Sequence, residues 1–419
     1  MNIIYLTQVF ELENEYGSDR HSFHCKKFRE NGHKITILTS NVHYRSSTFK
    51  YKTKKFRSVK IPYHGMDIFY VYSTQNFLGN YKKRMFYYIS YFIFSIFLIR
   101  KLKAADIVYA VSPPLTVALL GYLMSKRLKA KYYLEVADVW PDVFIELGYL
   151  KNKFIIFLLR KMEIFLYNNS HRIIALTKGI IENIQAKIGK KNKIFLIPNG
   201  VDKELFSLKK EIFADANQLR KKLDLENNFI CLYLGAHSLY NALDTAVEAA
   251  RLLKESPEII FVLIGSGDKK AQLQQLAREY DLRNILFHPP ISRKEVPVWL
   301  QIADIFLLPN LKGEFFKMNL QNKLFDYLAS SKPIVFAGVG ESAEIILKSD
   351  SGKVIEAENA QEMANTIVEL KSLPEHERIK MGTRGRTYVL THYERNKIFE
   401  NLISLIDDRD EKYFASRSS

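Results

Sequence analysis

The sequence predicts an α/β fold with two doubly wound domains, and three observations support this. The chain has 419 residues, and because a single domain rarely grows past about 250–300 residues, two domains are expected. Short apolar runs rich in β-branched residues recur in both halves, separated by longer stretches with helical spacing. The runs are continuously apolar, which is typical of parallel strands covered by helices on both faces. Two such sheets are expected to face each other across a cleft at the carboxyl ends of their strands.

The predicted strands form one set in each half of the chain. In the first half they cover 3–7, 34–40, 67–73, 106–112, 131–138, 172–177 and 193–199. In the second half they cover 229–235, 259–265, 285–291, 304–310, 333–338 and 352–358. Between the sets, Pro198 and Gly200 interrupt the chain after a strand, so we place the seam at 197–206. Near the end, 387–406 is predicted to be one helix before a polar tail at 407–419.

The composition is that of an ordinary globular protein. Hydrophobic residues make up 47% and charged residues 26% of the chain, which excludes a disordered, collagen-like or coiled-coil protein. Only Cys25 and Cys231 occur, so neither a disulfide framework nor a cysteine metal site is available, and a reducing, cytoplasmic compartment is expected. The first residues, MNIIYLTQVFE, lack the pattern of a signal peptide. The formal charge is +17, but the cations are spread along the chain without a recognition motif, so no nucleic-acid partner is expected.

One segment is a candidate for contact with a membrane. Residues 85–99 are apolar and aromatic but shorter than the about 20 residues that a spanning helix needs. Cations flank the segment on both sides: Lys82, Lys83, Arg84, Arg100, Lys101 and Lys103. This pattern is typical of a segment at an anionic membrane surface, although a buried core helix with basic ends also fits it. The net charge favours the membrane, which predicts attachment to its inner face through 82–103.

Candidate functional residues in the first half lie near strand ends. Asp138 and Trp140 follow the fifth predicted strand, where catalytic groups of doubly wound sheets lie. An Asp here is also a common helix cap or turn residue, and Trp140 could stack on a sugar or belong to the core. Gly17, in the loop after the first strand, would let the backbone approach a phosphate or sugar closely. His21 opens the following helix and is either a structural histidine or a general base.

Glycines after two strands mark candidate phosphate loops in the second half. Gly235 ends a strand and precedes a polar loop and a helix, an arrangement that presents N–H groups to an anion. Gly265 and Gly267 follow the next strand, but the third glycine of the dinucleotide fingerprint is missing. A nicotinamide dehydrogenase is therefore disfavoured.

The stretch 317–338 is predicted to be a helix that feeds a strand, and it combines a cation with a carboxylate. Lys323 and Asp326 are three residues apart and share a face, with Asn319 and Asn322 one turn behind. A cation for a diphosphate and a carboxylate for ribose hydroxyls form a coherent nucleotide site. The alternative is an ordinary surface ion pair.

Taken in order, these segments resemble the family 4 glycosyltransferases of the two-Rossmann-domain GT-B architecture, and above all the bacterial branch that builds O-antigen, capsule and exopolysaccharide units. The matching stretches span most of the chain: 30–40, 105–126, 135–142, 175–184, 197–202, 232–253, 261–277 and 322–338. The resemblance implies an acceptor-binding domain at 1–200 and a nucleotide-sugar-binding domain at 201–390. It also implies a C-terminal helix and tail, 391–419, that returns toward the first domain.

The same resemblance implies the reaction and its partners. The expected enzyme is retaining and metal-independent, needs no cofactor, and moves a sugar from a nucleotide sugar, UDP-linked above all, to a lipid-linked saccharide acceptor. Asp138 takes the catalytic position beside the anomeric centre. Gly17 and Gly235 take the positions of the loops at the donor phosphates, and Asp326 is the second acid of the E-x7-E element, which binds the ribose.

Three departures from the family pattern affect the donor site. Met318 stands where the first acid of E-x7-E is expected, and the N-terminal glycine loop has one glycine rather than two. The loop 236–242 lacks the expected Arg and Lys, which makes Lys323 the substitute cation.

These departures leave two other hypotheses open. One is a catalytically weak scaffold that docks on a membrane within a polysaccharide assembly complex. The other is a nucleotide-sugar epimerase or a phosphorylase of the same architecture, although neither the added carboxylates nor a pyridoxal-bearing lysine can be located in the sequence. Donor turnover separates the enzyme from the scaffold.

Overall fold

The computed structural model describes residues 1–12, 15, 17–53, 57–102, 104–189 and 192–407, which form two compact units. The first unit comprises 1–12, 18–198 and the C-terminal segment that starts at Phe399. The second comprises 199–398 and the short loop segment that ends at Gly17. Lys103 and the predicted tail from 408 onward lie outside the described residues.

Each unit is built on one sheet. In the first unit the strands are β1 (Asn2–Leu6), β2 (Lys34–Ser40), β3 (Ser58–Tyr63), β4 (Met66–Val71), β5 (Ile107–Ser112), β6 (Lys131–Val136), β7 (Arg172–Ala175) and β8 (Ile194–Leu196). They lie in the order β3-β4-β2-β1-β5-β6-β7-β8, and only β3 and β4 pair antiparallel.

The second unit has a fully parallel six-stranded sheet. Its strands are β9 (Phe229–Leu234), β10 (Ile259–Ile264), β11 (Ile285–His288), β12 (Ile305–Pro309), β13 (Ile334–Ala337) and β14 (Gly352–Ile355). They lie in the order β11-β10-β9-β12-β13-β14.

Helices follow most strands in both units. In the first half they are α1 (Arg20–Glu30), α2 (Tyr81–Ile99), α3 (Leu115–Leu128), α4 (Asp142–Glu146), α5 (Lys153–Asn169) and α6 (Lys178–Ile188). After the seam come α7 (Lys210–Lys222), α8 (Leu243–Leu252), α9 (Lys270–Glu279), α10 (Val296–Gln301), α11 (Glu314–Lys317), α12 (Asn322–Ala329), α13 (Glu341–Ser349), α14 (Ala360–Ser372), α15 (Glu375–His392) and α16 (Arg395–Ile406). A 3₁₀ turn, Leu239–Asn241, precedes α8.

The structure confirms the predicted α/β fold class, because every predicted apolar run contains a strand. Strand β9 shows why its sequence is continuously apolar. Ile230 and Leu232 pack in the core on one face of the sheet, and Phe229, Cys231 and Tyr233 pack in the core on the other. Burial of one such side chain stabilises the fold by about 1.5–3 kcal/mol, so both faces of the sheet contribute to the stability of the unit.

The sequence analysis missed strand β3, which pairs antiparallel with β4 at the edge of the first sheet. Two residues, His64 and Gly65, connect the strands, and both have positive φ angles of 47° and 72°. Such a turn is typical of a tight hairpin. Strand β3 has no fully buried residue and contains Pro62, which only an edge strand tolerates. It therefore lacks the apolar run that indicated the other strands.

The single terminal helix predicted over 387–406 is wrong, because α15 ends at His392 and α16 begins at Arg395. The backbone between them pairs with the seam instead. The N–H of Val201 donates to the Tyr393 carbonyl oxygen at 2.8 Å, and the N–H of Arg395 donates to the Val201 carbonyl oxygen at 3.0 Å. These two bonds hold the seam and interrupt the helix.

Helix α2 contains the predicted membrane segment and has two apolar faces. Tyr87, Tyr91 and Leu98 lie on its buried face, whereas Phe86 and Phe97 are about two-thirds exposed, at 65% and 63%. The helix is therefore part of the core and also presents apolar side chains to solvent. Among the residues that the structure describes, no helix combines the length and the apolar character needed to cross a membrane.

Candidate functional site

Two loops of the second unit pack backbone to backbone at the carboxyl ends of β9 and β10. Gly235 follows β9, and Gly265 and Gly267 follow β10. A Cβ atom on Gly265 would lie 1.8 Å from the Gly235 carbonyl oxygen, and one on Gly267 would lie 2.3 Å from the His237 carbonyl oxygen. Only glycine fits at these two positions. Gly265 and Gly267 therefore bring two loops together, although they do not complete a dinucleotide fingerprint.

Helix α12 places Lys323 against the first of these loops. The Lys323 Nζ donates to Tyr233 Oη at 2.7 Å and to Asn241 Oδ1 at 2.8 Å. The same ammonium lies 4.4 Å from the centroid of the Tyr233 ring. A Cβ on Gly235 would come 2.9 Å from Nζ. The structure thus brings together Lys323 and Gly235, the two residues of this unit that the sequence analysis assigned to the donor phosphates.

The loop that follows Gly235 is fixed by the same residues. Tyr233 Oη donates to the Ala236 carbonyl oxygen at 2.7 Å, and Asn241 Nδ2 donates to that oxygen at 2.8 Å. Because Lys323 bonds to both Tyr233 and Asn241, the cation and the loop form one hydrogen-bonded network. The sequence analysis did not identify Tyr233 or Asn241, whose only signal was a polar group at each end of a short loop.

One turn further along α12, Asp326 forms a bidentate ion pair with Arg293. Arg293 Nη1 lies 2.5 Å from Oδ2 of Asp326, and Nη2 lies 2.9 Å from Oδ1. Asp326 is only 9% exposed, so it is not part of a surface ion pair. The Arg293 guanidinium also lies over the Phe206 ring, 5.3 Å from its centroid. Arg293 was missed because it stands in a polar loop far from Asp326 in the sequence.

The single helix predicted to start at 317, within the stretch 317–338, is interrupted by a non-helical segment. Helix α11 ends at Lys317 and α12 begins at Asn322, so Asn319 lies between two helices and not one turn behind Lys323. Gly340, in the turn before α13, packs closely against this break, since a Cβ on Gly340 would lie 2.2 Å from the Lys317 carbonyl oxygen. Asn322 is exposed at the start of α12.

His237 and Lys270 also lie beside the two glycine loops. His237 is fully buried, and this burial, together with the charges of Lys270 and Lys323, lowers its pKa to about 4, so the ring is neutral at pH 7. Lys270 Nζ donates to the carbonyl oxygens of Gly265 at 2.7 Å and His288 at 2.8 Å. The site therefore has a second cation, which the sequence analysis did not identify.

In the first unit, Asp138 lies just after β6 and is partly buried. Burial raises the pKa of its carboxyl group to about 7, well above the ordinary 3.8. The group therefore changes charge near neutral pH, which is the range where a catalytic acid or base is most effective.

Trp140 and His21 are both largely enclosed by other side chains of the first unit. The Trp140 side chain is 8% exposed and packs with ring centroids 4.2 Å from Phe144 and 5.7 Å from Tyr88. This packing fits the core alternative given above. His21 Nδ1 lies 2.9 Å from Tyr5 Oη, and burial lowers its pKa to about 4, so its imidazole is neutral at pH 7.

The sequence analysis missed a buried ion pair beneath these residues. Arg20 Nε lies 3.0 Å from Glu135 Oε1, and Arg20 also donates to the carbonyl oxygens of Ile197 at 3.0 Å and Pro198 at 2.8 Å. Burial opposes ionisation of Glu135, but the positive charge of Arg20 and its hydrogen bond outweigh this effect, and the pKa of Glu135 falls to about 2. The sequence feature that could have indicated this pair is Glu135, a glutamate within an otherwise apolar strand. Arg20 thus ties α1 to β6 and to the end of the first unit.

Gly17 has a positive φ angle of 140°, a conformation that glycine adopts more readily than other residues. Its neighbours at 13, 14 and 16 lie outside the described residues. The described part of the chain contains no group of three or more His, Cys, Asp or Glu side chains that could hold a metal ion.

The curated relatives of the chain include proteins named as glycosyltransferases. The chain is 26% identical to WcaI of Escherichia coli K12, named as a colanic acid biosynthesis glycosyl transferase, over 71% of this chain and 73% of that protein. It is 23% identical to the glycosyltransferase WbjE of Pseudomonas aeruginosa, over 61% of this chain and 62% of that protein.

Solved structures share the fold over nearly the whole chain. The Anabaena protein HepE, in complex with UDP and glucose, matches with a TM-score of 0.74 at 14% identity, covering 97% of this chain and 99% of that one. WaaG, a glycosyltransferase involved in lipopolysaccharide biosynthesis, matches with a TM-score of 0.68 at 15% identity, covering 96% and 99%. These matches confirm the predicted GT-B fold.

Two family models together cover most of the sequence. The model described as Glycosyltransferase Family 4 matches residues 24–205, and the model described as Glycosyl transferases group 1 matches residues 215–388. The chain therefore belongs to the family 4 glycosyltransferases, with homologues in bacterial polysaccharide biosynthesis.

Proposed function

We propose that the protein is a retaining glycosyltransferase that moves a sugar from a UDP-sugar to a lipid-linked saccharide acceptor in bacterial surface polysaccharide synthesis. The arrangement on α12 carries this proposal: Lys323 lies against Gly235, and Asp326, one turn further on, is held by Arg293. In one nucleotide, a cation can bind the diphosphate and a carboxylate can accept hydrogen bonds from the ribose hydroxyls. The UDP in the HepE structures and the polysaccharide assignments of WcaI and WaaG support the choice of donor and pathway.

The proposed chemistry depends on stabilising the leaving group. When the bond between the anomeric carbon and the phosphate oxygen breaks, negative charge develops on the UDP and positive charge on the sugar. Lys323 would stabilise the diphosphate directly, and Lys270 adds positive potential from beneath the loop. Tyr233 and Asn241 hold the Lys323 ammonium in place, so little reorganisation is needed during the reaction.

Asp138 is the proposed catalytic residue, as the family resemblance implies. Its carboxyl group is near its pKa at neutral pH and, when ionised, would stabilise the positive charge that develops on the anomeric carbon. Gly17 is the proposed contact for the donor phosphates in the N-terminal loop. We propose that neither a metal ion nor a cofactor takes part.

The experiment is a panel of nucleotide sugars tested with a polyprenyl-diphosphate-linked acceptor, reading the nucleotide that is released. Release of UDP with formation of a glycosylated lipid, its new linkage having the donor's anomeric configuration by NMR, supports the proposal. Unchanged turnover in EDTA supports metal independence, and loss of turnover contradicts it. No release from any donor favours the scaffold hypothesis, whereas interconversion of the donor without an acceptor favours an epimerase.

We also propose that the protein works at the inner face of the cell membrane, attached through α2. Phe86, Ile89, Ile93 and Phe97 form an exposed apolar stripe on this helix. Lys82 and Lys83 are exposed at its start, whereas Arg84 packs over the Tyr44 ring, 5.9 Å from its centroid. The charge test therefore reverses only Lys82 and Lys83. Loss of salt-sensitive binding to anionic vesicles in the Lys82→Glu, Lys83→Glu variant supports this attachment, and wild-type binding contradicts it.

A further inference from the structure

An exposed apolar surface involves helix α5, for which the sequence analysis made no prediction. Helix α5 begins with the run KFIIFLLRKM, and none of these residues is buried. Phe154 and Phe157 are 68% and 55% exposed, and Ile155 and Leu158 are exposed beside them. The buried residues of α5 are Glu163, Leu166 and Tyr167, in its second half. Residues 154–159 are all apolar and none of them is buried, and an exposed apolar stretch of this kind is typical of a surface that a partner covers.

Helix α5 belongs to the same layer as α2. Helix α3 packs against both α2 and α5, and Tyr122 on α3 contacts Phe165 on α5 with ring centroids 5.0 Å apart. Exposed apolar side chains continue across the three helices. We call this surface the α2–α5 face: Phe86, Ile89, Ile93 and Phe97 on α2, Leu123 on α3, and Phe154, Ile155, Phe157, Leu158 and Phe165 on α5.

The charges on these helices identify the kind of partner. Helices α2 and α3 carry basic residues and no acid, and the single acid of α5 is Glu163. Glu163 is fully buried, and its Oε1 lies 2.7 Å from Lys187 Nζ. The exposed charges on the three helices are therefore positive: Lys82, Lys83, Lys126, Arg127, Lys153, Arg160 and Lys161. Of these, Arg160 pairs with Asp142 of α4, 3.1 Å away. A second copy of the chain would place positive charge against positive charge, so this face does not suit a symmetric dimer.

We infer that the α2–α5 face binds an anionic lipid bilayer, with the first half of α5 inserted among the lipids and α2 lying beside it. Phe, Ile and Leu side chains gain from contact with hydrocarbon, whereas a nucleic acid offers no apolar phase for the aliphatic residues. The lysines would extend their charged ends to the headgroups. In the structure, Lys161 Nζ lies over the Phe157 ring, 5.6 Å from its centroid. This inference deepens the proposed attachment through α2 and rests on it.

The charges and the apolar side chains of the face should respond differently to salt. The cations act through charge, which salt screens, whereas the apolar side chains act through burial, which salt does not weaken. We therefore test a triple variant of Phe154→Ser, Phe157→Ser and Leu158→Gln by flotation with phosphatidylcholine vesicles that contain phosphatidylglycerol. The matched control is Leu347→Gln with Ile379→Gln, which removes two exposed apolar side chains of the second unit.

We expect the wild type and the control to retain part of their vesicle binding at about 0.5 M NaCl. For the triple variant, the partition coefficient measured at this salt concentration should be about tenfold lower than that of the wild type, or lower still. Equal salt-resistant binding by the triple variant and the wild type would overturn the inference. If the wild type does not float with any vesicle, both this inference and the proposed membrane attachment are wrong. The proposed transferase activity is then tested separately, by donor turnover with a water-soluble acceptor. A wild type that is dimeric in solution and a triple variant that is monomeric would identify a second copy as the partner and likewise overturn the inference.

A second variant measures insertion directly and does not depend on loss of function. Phe157→Trp places a fluorophore on the exposed part of α5, and Leu347→Trp is its control in the second unit. Addition of the anionic vesicles is expected to shift the emission of the first variant to the blue and to leave that of the second unchanged. The same emission from Phe157→Trp with and without vesicles would show that α5 does not enter the bilayer.

Discussion

Arg293 and Asp326 are joined by two parallel hydrogen bonds of 2.5 and 2.9 Å, although they lie in a loop and a helix on different parts of the chain. A bidentate pair of this kind fixes the orientation of the carboxylate as well as its charge. The remaining lone pairs of Asp326 are thus aimed in a defined direction. Substitution of Asp326 and of Arg293, one at a time, can therefore separate the effect of the carboxylate on donor use from the effect of its orientation.

Replacement of Asp326 by Ala should raise the donor KM and lower turnover, because it removes the proposed acceptor for the ribose hydroxyls. Loss of a charged hydrogen bond costs about 1.5–3 kcal/mol, so kcat/KM should fall at least about tenfold. Arg293→Ala should have a smaller effect, since the carboxylate is still present although its orientation is no longer fixed. Steady-state kinetics of both single variants and the double variant provide the comparison. Wild-type kinetics in Asp326→Ala would contradict a role for this carboxylate at the donor.

Replacement of Lys323 by Met should reduce kcat more than it reduces donor affinity, because the leaving diphosphate carries most charge in the transition state. We expect a fall of at least about tenfold in kcat. Lys348→Met serves as a control, because Lys348 is exposed and pairs only with Glu344 among the described contacts. Single-turnover measurement of nucleotide release checks the result. If both variants release nucleotide at the wild-type rate, Lys323 is not at the leaving group.

Replacement of Asp138 by Asn should lower kcat and leave donor affinity, measured by calorimetry, nearly unchanged. In the wild type, kcat should rise with pH through an apparent pKa near 7 as the carboxylate ionises. The variant should lose this inflection. A variant that loses affinity and turnover in equal measure contradicts the assignment of Asp138 to the reacting centre.

The same Asp138→Asn change should alter stability in a pH-dependent way. The folded pKa of Asp138, about 7, lies above its ordinary value of 3.8, so folding opposes ionisation of the carboxyl group. This penalty is absent below about pH 4, grows as the pH rises toward 7, and is constant above it. Asp138→Asn should therefore raise the free energy of unfolding by about 1–3 kcal/mol at pH 8 and have little effect at pH 4. Urea titrations at the two pH values check this.

Replacement of Glu135 by Gln should destabilise the first unit, because the buried Arg20 guanidinium loses its counter-charge. Breaking such a pair costs about 3–5 kcal/mol. The folded pKa of Glu135, about 2, lies below its ordinary value of 4.5, so its contribution is present above pH 4.5 and is lost as the pH falls toward 2. Acid titration of the unfolding free energy should show this loss in the wild type but not in the variant.

Replacement of Gly200 by Ala should destabilise the junction between the seam and the C-terminal helices. The added Cβ would lie 2.5 Å from the Tyr393 carbonyl oxygen, which already accepts a hydrogen bond from Val201. Overpacking of this kind costs about 1–3 kcal/mol. Gly189→Ala is a poor control because of its positive φ, whereas Glu204→Ala, nearby and exposed, should be almost neutral. Thermal unfolding of both variants makes the comparison.

The sequence by itself determined the two parallel sheets and the places where loops follow strands. Strands such as β9 are apolar on both faces because helices cover both, and this leaves a continuous signal in the sequence. It also indicated Gly235, Lys323 and Asp326, because they stand at strand ends or one turn apart on a helix. Hairpin strand β3 escaped prediction because an exposed edge strand needs no apolar run.

Only the tertiary structure decided which side chains meet. Arg293 reaches Asp326, and Arg20 reaches Glu135, across separations for which local sequence patterns carry no information. The break between α15 and α16 has the same origin, since the backbone there bonds to Val201 rather than continuing the helix. The exposure of α5 likewise follows from packing, because an apolar helix becomes a surface only when no other element covers it. Periodicity and spacing are local properties, whereas pairing and burial depend on the folded chain.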